Sequence, residues 1–254
     1  MLTKTHAMLE TMRAVSLDEM SHIRLMDRVD SKFVAPASLL PALLEKMSPH
    51  FCVQVANGAR IAPYCTQYLE TPDCKMFLMH QNGKLARQKI RIRSYLDSNL
   101  SFLEVKNKSN KGRTSKKRIP VGFSHLASIH ELGEARPFLE KNSFFDAGML
   151  EPSLANSFKR LTFVGNKAAE RITVDLNLAF LSYKTGRETT LDRLMVLELK
   201  QDGRQRSDFR AIVDSFRIKQ TSFSKYCMGV VLTNDNVKYN RFKSKLITIN
   251  KLIQ

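Results

Sequence analysis

The stretch KIRIRSYLDSNLSFLEVKNK, residues 89–108, decides how this chain is read. Lys89, Arg91 and Arg93 alternate with Ile90 and Ile92, and further on Glu104, Lys106 and Lys108 alternate with Leu103 and Val105. Successive side chains of a β-strand point to opposite faces of the sheet. Each segment is therefore a strand with one charged face and one apolar face. What the protein can do depends on which way the charged faces point.

The same period of two runs through much of the chain. Candidate strands are 28–34, 61–69, 75–80, 88–95, 101–108, 117–121, 160–165, 170–176, 178–183 and 193–200, rich in Val, Ile, Phe and Tyr and separated by turn-like breaks. Strand 28–34 opposes Arg28, Asp30 and Lys32 to Val29, Ser31 and Phe33. Strand 170–176 opposes Arg171, Thr173 and Asp175 to Ile172, Val174 and Leu176, and strand 193–200 opposes Glu198 and Lys200 to Leu197 and Leu199. Helical spacing marks 36–47, with Pro36 as its first residue, 124–132 after a Ser cap, 204–216 and 224–232. Ten short strands and four helices predict a single α+β domain over 1–254, dominated by antiparallel sheet. An open sheet and a closed barrel both fit that pattern.

Composition narrows the partners. The 254 residues are 43% hydrophobic and 26% charged, enough for a core and too ordered in pattern for a disordered chain. Lys and Arg number 41 against 24 Asp and Glu, a net charge of +17. Such an excess points to nucleic acid, anionic lipid or a polyphosphorylated small molecule. The four cysteines form no CxxC pair, and the histidines show no metal-ligand spacing, His125 and His130 being five apart. A reduced, cytoplasmic setting is expected. The opening MLTKTHAMLETMRAV lacks the apolar core of a signal peptide, and no window approaches 18 apolar residues.

Two arrangements of the charged faces remain open. Half-buried antiparallel strands commonly turn polar faces to water. In the inverse arrangement the apolar faces pack outward against helices and the charged faces line a wet lumen, which is costly unless bases and acids pair or an anion and a metal neutralise them.

Eight pieces of the chain, in order over about 28–230, resemble the catalytic domain of the vacuolar transporter chaperone (VTC) polyphosphate polymerases, of the CYTH or triphosphate tunnel metalloenzyme superfamily. RVDSKF (28–33) resembles the opening strand, and YCTQYLETPD (64–73) the Y-x-S-x-Y-F-D-T-x-D strand and turn. MHQNGKLARQKIRIRSY (79–95) resembles H-x-x-G-x-x-x-R-x-K-x-R-x-R-x-Y, and FLEVKNK (102–108) resembles F-x-E-x-K. SFKRLTF (157–163) and ERITVDLNL (170–178) resemble Y-x-R-x-x-F and R-x-T-x-D. LMVLELK (194–200) and SFSKYCMGV (222–230) resemble the closing E-x-K strand and the S-K-Y helix.

The resemblance implies an antiparallel β-barrel forming a charged tunnel, with helices outside, in a stand-alone domain of the bacterial type. It implies that Lys32, Arg91, Arg93, Lys106, Arg160, Arg171 and Lys225 hold phosphates, with Ser224 beside the last and Lys89 adding charge at the mouth. Glu198 is the implied metal ligand, with Glu104 or Asp30 assisting it or pairing with bases, and the implied cofactor is Mn²⁺ or Mg²⁺. Tyr68 and Tyr95 are read as packing residues. The implied substrates are ATP and inorganic polyphosphate, with a separate membrane protein supplying any translocation. Phe158 stands where the family has Tyr, YLET replaces Y-F-D-T, and Arg28 replaces the first acid of ExExK. Hydrolysis of triphosphate in the same tunnel is an alternative activity. A non-enzymatic polyphosphate-binding module is another; its exterior charge would come from the basic stretches 107–118 and 238–254. Neither stretch interleaves aromatics at a nucleic-acid motif spacing, so no sequence-specific nucleic acid is expected.

Overall fold

In a computed structural model, residues 2–21, 28–122, 133–203 and 206–254 are described. The predicted helix 124–132 lies outside them. Eleven strands form one sheet: β1 (Ala14–Val15), β2 (Arg28–Pro36), β3 (Phe51–Gln54), β4 (Ala62–Glu70), β5 (Arg87–Tyr95), β6 (Leu100–Lys108), β7 (Thr114–Val121), β8 (Glu151–Gly165), β9 (Glu170–Ser182), β10 (Glu188–Leu191) and β11 (Leu194–Asp202). The helices are α1 (Leu2–Thr11), α2 (Leu17–Ser21), α3 (Leu40–Met47), α4 (Lys75–Gln81), α5 (Ala135–Asn142), α6 (Asp208–Ser215), α7 (Lys225–Thr233) and α8 (Lys243–Ile253).

The main path of the sheet runs β2-β11-β9-β8-β4-β5-β6-β7, antiparallel throughout, while β1, β3 and β10 attach to its side. Among the described residues β2 and β7 do not pair with each other. The expected closed barrel is therefore replaced by an open sheet. It is nevertheless strongly curled, because side chains from both end strands line one cavity.

Three apolar clusters hold the curl. On the outer face, Phe33, Leu161, Phe163, Ile172, Val174 and Leu197 pack under α1, α3 and α6. Ile90, Ile92, Leu103 and Val105 pack under α5. The isoleucines that alternate with the arginines of β5 thus face away from the cavity. The third cluster, with Val34, Leu154, Phe158, Val196 and Tyr226, fills one end of the inner face with α7. Gly229 permits that fit: a Cβ there would sit 2.5 Å from a Leu154 methyl and 2.6 Å from the Phe180 ring.

Several expectations change. Residues 75–80 form α4 rather than a strand, since the Glu70 carboxylate accepts the Met76 and Phe77 N–H groups and so caps a helix start. Pro36 ends β2, and it is Pro41 that occupies the first turn of α3. The segments 170–176 and 178–183 are one strand, β9, which passes Asn177 at a positive φ of 52°. The helix predicted over 204–216 starts at Asp208, where Ser207 accepts a bond from the Arg210 N–H.

Candidate functional site

Strand register places opposite charges on directly opposed positions. Arg91 of β5 faces Glu104 of β6, Arg160 of β8 faces Asp175 of β9, and Glu198 and Lys200 of β11 face Lys32 and Asp30 of β2. Directly opposed side chains in an antiparallel pair are close enough to interact. With the outer face sealed by aliphatic residues and helices, all of these groups turn inward.

All but Glu104 line a cavity of about 420 Å³. Its walls carry nine basic side chains, namely Lys32, Lys89, Arg91, Arg93, Lys106, Lys116, Arg160, Lys200 and Lys225, against the carboxylates of Asp30, Asp175 and Glu198. Thr114, Tyr68 and Ser224 complete the polar lining. A smaller cavity of about 220 Å³ shares Lys32, Lys89, Lys106 and Glu198 and adds His80, Arg87 and Lys108, forming a basic mouth.

The N-terminus of α7 opens onto the same space. Thr221 donates its N–H to the Lys32 carbonyl at 2.8 Å, tying the approach to α7 along β2. Ser224 caps the helix by accepting the Cys227 N–H, and Lys89 Nζ donates to Ser224 Oγ at 3.0 Å. The helix is anchored from behind by Glu70, which accepts the Tyr226 hydroxyl at 2.6 Å as well as the first N–H groups of α4. A helix N-terminus carries partial positive charge and exposed N–H groups, and so adds to an anion site.

The buried acids are already committed to bases. Arg91 Nε and Nη2 reach Glu104 Oε2 at 2.8 and 2.7 Å, and Lys116 Nζ reaches Oε1 at 3.0 Å. Burial alone would raise the Glu104 carboxyl, but Arg91, Arg93 and Lys116 hold it at about 2. Asp175 accepts Arg160 Nε and Nη2 at 2.6 and 2.8 Å and also binds Lys225. Burial works against its charge too, yet Arg160 and Lys225 keep it well below the usual carboxylate range. Glu198 meets Lys200 at 3.5 Å, and against burial Lys200, Lys32, Arg160 and Lys225 lower it to about 2.

The surplus cations bear the strain. Burial first, then neighbouring cations, lowers Arg93 to about 10, and its Nε has no hydrogen-bond partner. Burial also lowers Lys89 to about 7 and Lys225 to about 8. His80 falls to about 2, mainly through burial and then through Lys89 and Arg87, so it stays neutral. A bound anion would favour the charged forms of these lysines.

Of the residues singled out from the sequence, Asp30, Lys32, Lys89, Arg91, Arg93, Lys106, Arg160, Glu198, Ser224 and Lys225 line this cavity. Arg171 is not among the lining residues; it lies on β9 opposite Lys200 and Val164. Glu104 sits behind the lining as the counter-charge of Arg91. Tyr68, read as a packing residue, lines the cavity and also packs at a tilt against Tyr226, ring centroids 4.9 Å apart. Sequence reasoning missed Asp175, Lys116, Thr114 and Lys200 as parts of the site. Asp175 and Lys200 do carry a signal, their alternation with Val174 and Leu199. Lys116 is hidden in a stretch that reads as a loop, which instead extends β7 back to Thr114.

The VTC domain family matches residues 27–234, from β2 to the end of α7 and thus every element that lines the cavity. The chain belongs to the VTC domain family. No curated protein matches it in sequence. Similar solved structures include candidate adenylate cyclases from Bacillus halodurans (16% identity, TM-score 0.49, covering 78% of this chain and 96% of that one) and Vibrio parahaemolyticus (14%, 0.47, 81% and 99%). Another is a candidate adenylyl cyclase from Hippeastrum described as having a dominant triphosphatase activity (12%, 0.49, 82% and 97%).

Within this VTC domain the donors fit a divalent ion only in part. Among the described residues no three His, Cys, Asp or Glu side chains come together. Glu198 and Asp30 line the cavity from adjacent strands. Mg²⁺-type ions often take one or two carboxylates and complete their shell with phosphate and water; these two carboxylates could serve, though each stands opposite a lysine of the neighbouring strand. Glu104 does not serve, since both its oxygens are held by Arg91 and Lys116.

Proposed function

We propose that the cavity binds the triphosphate of ATP together with the end of an inorganic polyphosphate chain, and transfers the γ-phosphoryl group to that chain. The observation that supports this most is the surplus of cations around one cavity, nine against three lining carboxylates. A chain of phosphates is the ligand that spans so many closely spaced bases. Duplex DNA is too wide to enter and would meet only the exterior.

Phosphoryl transfer asks the protein for positioning and charge neutralisation rather than covalent chemistry. In this reading a terminal polyphosphate oxygen attacks the γ-phosphorus, the bond to the β-phosphate oxygen breaks, and ADP leaves. Arg91 and Arg160, fixed by Glu104 and Asp175, present their remaining N–H donors in a set orientation. Arg93, Lys32, Lys106 and Lys225 supply charge without a competing tight pair of their own, except that Lys225 must share Asp175. Glu198, with Asp30, would hold Mn²⁺ or Mg²⁺, which supplies charge neutralisation between the phosphates. Ser224 and the N-terminus of α7 add hydrogen-bond donors. A separate membrane protein is the proposed partner for any translocation of the polymer.

Incubation with ATP and Mn²⁺, followed by gel analysis of the products, tests this reading. Long polymer supports it. Orthophosphate alone would assign hydrolysis to the cavity, and unchanged ATP despite tight triphosphate binding would leave a binding module.

A further inference from the structure

The two ends of the cavity differ in chemistry. One is the basic mouth with His80, Arg87 and Lys108. Beyond the other end, along β5 past Arg93, the sheet turns aromatic, although none of the rings there lines the cavity itself. There Phe158, Tyr64 and Tyr95 stand directly opposite one another across β8, β4 and β5. Their ring centroids are 5.3 and 4.9 Å apart, and Phe102 of β6 continues the row 6.0 Å from Tyr95.

Cross-strand aromatic pairs stabilise sheets wherever they occur, so the row alone is not a site. Two further features set it apart. Phe158 is buried, but Tyr64, Tyr95 and Phe102 stay partly exposed, and Leu96 and Leu100 in the adjoining turn are 40% and 52% exposed. The row is also continuous with the phosphate-binding cations, for the Arg160 and Arg93 guanidinium carbons lie 5.0 and 5.9 Å from the Tyr64 ring centre. With a strand rise of about 3.3 Å per residue, Tyr95 stands roughly 7 Å beyond Arg93 and 13 Å beyond Arg91.

We propose that Tyr95, backed by Tyr64 and Phe102, is the stacking platform for the base of the nucleoside triphosphate. This rests on the polymerase reading and gives it a direction. The base lies at the aromatic end, the α- and β-phosphates cross Arg93 and Arg91, and the γ-phosphate points to Lys89, Lys106 and the basic mouth. The acceptor chain enters by that mouth and ADP leaves at the aromatic end. Stacking suits this task because every base has a π-face, so the platform favours nucleotides over bare triphosphate without selecting strongly among bases.

Calorimetric titration of ATP, inorganic triphosphate and long-chain polyphosphate into the wild type, Tyr95→Ala, Tyr95→Leu, Tyr95→Phe and Lys108→Ala tests the assignment. Tyr95→Ala is expected to weaken ATP binding about tenfold and leave triphosphate binding unchanged, with Tyr95→Leu matching it should the alanine variant fail to fold. Tyr95→Phe should retain ATP affinity, and Lys108→Ala should weaken long-chain polyphosphate alone. Equal losses for ATP and triphosphate, or no loss for ATP, would overturn the platform while leaving the phosphate cavity intact. A wild type that binds neither ATP nor triphosphate would overturn the polymerase reading itself.

Discussion

Arg160 and Asp175 form a two-pronged ion pair, 2.6 and 2.8 Å long, with the carboxylate 2% exposed. Asp175 also takes Lys225 from α7, so one buried acid organises two of the cations that face the cavity. Asp175→Asn is expected to cost about 3–5 kcal/mol, the usual consequence of removing one partner of a buried pair. Triphosphate should restore part of that loss by supplying the missing negative charge. Thermal melts with and without triphosphate check this, and the ligand-induced shift should be larger for the variant than for the wild type.

Arg91 and Arg93 lie two residues apart on one strand face and should differ in stability. Arg91 neutralises Glu104, so Arg91→Ala is expected to cost about 1.5–3 kcal/mol, the range for a hydrogen bond to a charged group. Arg93 has no such partner at Nε, and its charge is disfavoured by burial and by Arg91 and Arg160. Arg93→Ala should leave the melting temperature unchanged or higher. Both should lose triphosphate affinity. Equal destabilisation by the two substitutions would contradict the division of labour.

Triphosphate binding should depend on pH above neutrality. In the empty cavity Lys106 is exposed, whereas burial holds Lys89 down at about 7 and Lys225 at about 8. A bound polyanion favours their charged forms and raises these values. Affinity is then full below about pH 7 and is lost as pH rises through the raised values, with protons taken up on binding between pH 7 and 9. For the empty protein the sign is opposite: the depressed lysines lower stability at pH 7, and this penalty fades as pH rises toward the ordinary value of 10.5. Titration in buffers of different ionisation enthalpy measures the proton uptake directly, and none at pH 8 would remove these lysines from the site.

Glu198→Gln should preserve triphosphate binding, because the cations remain and one repelling carboxylate is gone. Turnover should lose its response to Mn²⁺. A Mn²⁺ response equal to that of the wild type would take Glu198 out of the metal site.

The alternation of Arg91 and Arg93 with Ile90 and Ile92 makes β5 legible in the amino-acid sequence, as do the matching patterns of β6, β9 and β11. Period two says which residues share a face but not which face is enclosed. That depends on where α1, α3, α5 and α6 pack, and α1 and α5 leave little trace in a polar, short-helix sequence. The pairing of Arg160 with Asp175 follows from the register of the β8–β9 hairpin, which the alternation within either strand does not encode. The run KMFLMHQ, by contrast, carries apolar residues in unbroken sequence. Thr71 Oγ1 receiving the Lys75 N–H and the Glu70 carboxylate receiving those of Met76 and Phe77 cap it as a helix.

The most direct test of the phosphate cavity is a set of thermal melts at matched ionic strength with triphosphate, orthophosphate and duplex DNA. A ligand that binds only the folded state at a hundredfold excess over Kd contributes about 2.7 kcal/mol. Millimolar triphosphate should therefore raise the melting temperature by several degrees, orthophosphate should do much less because it spans fewer of the inward cations, and the triphosphate shift should collapse in Arg93→Ala. Equal shifts from triphosphate and DNA, both vanishing at high salt, would place the binding on the exterior charge and contradict the enclosed cavity as the site of function.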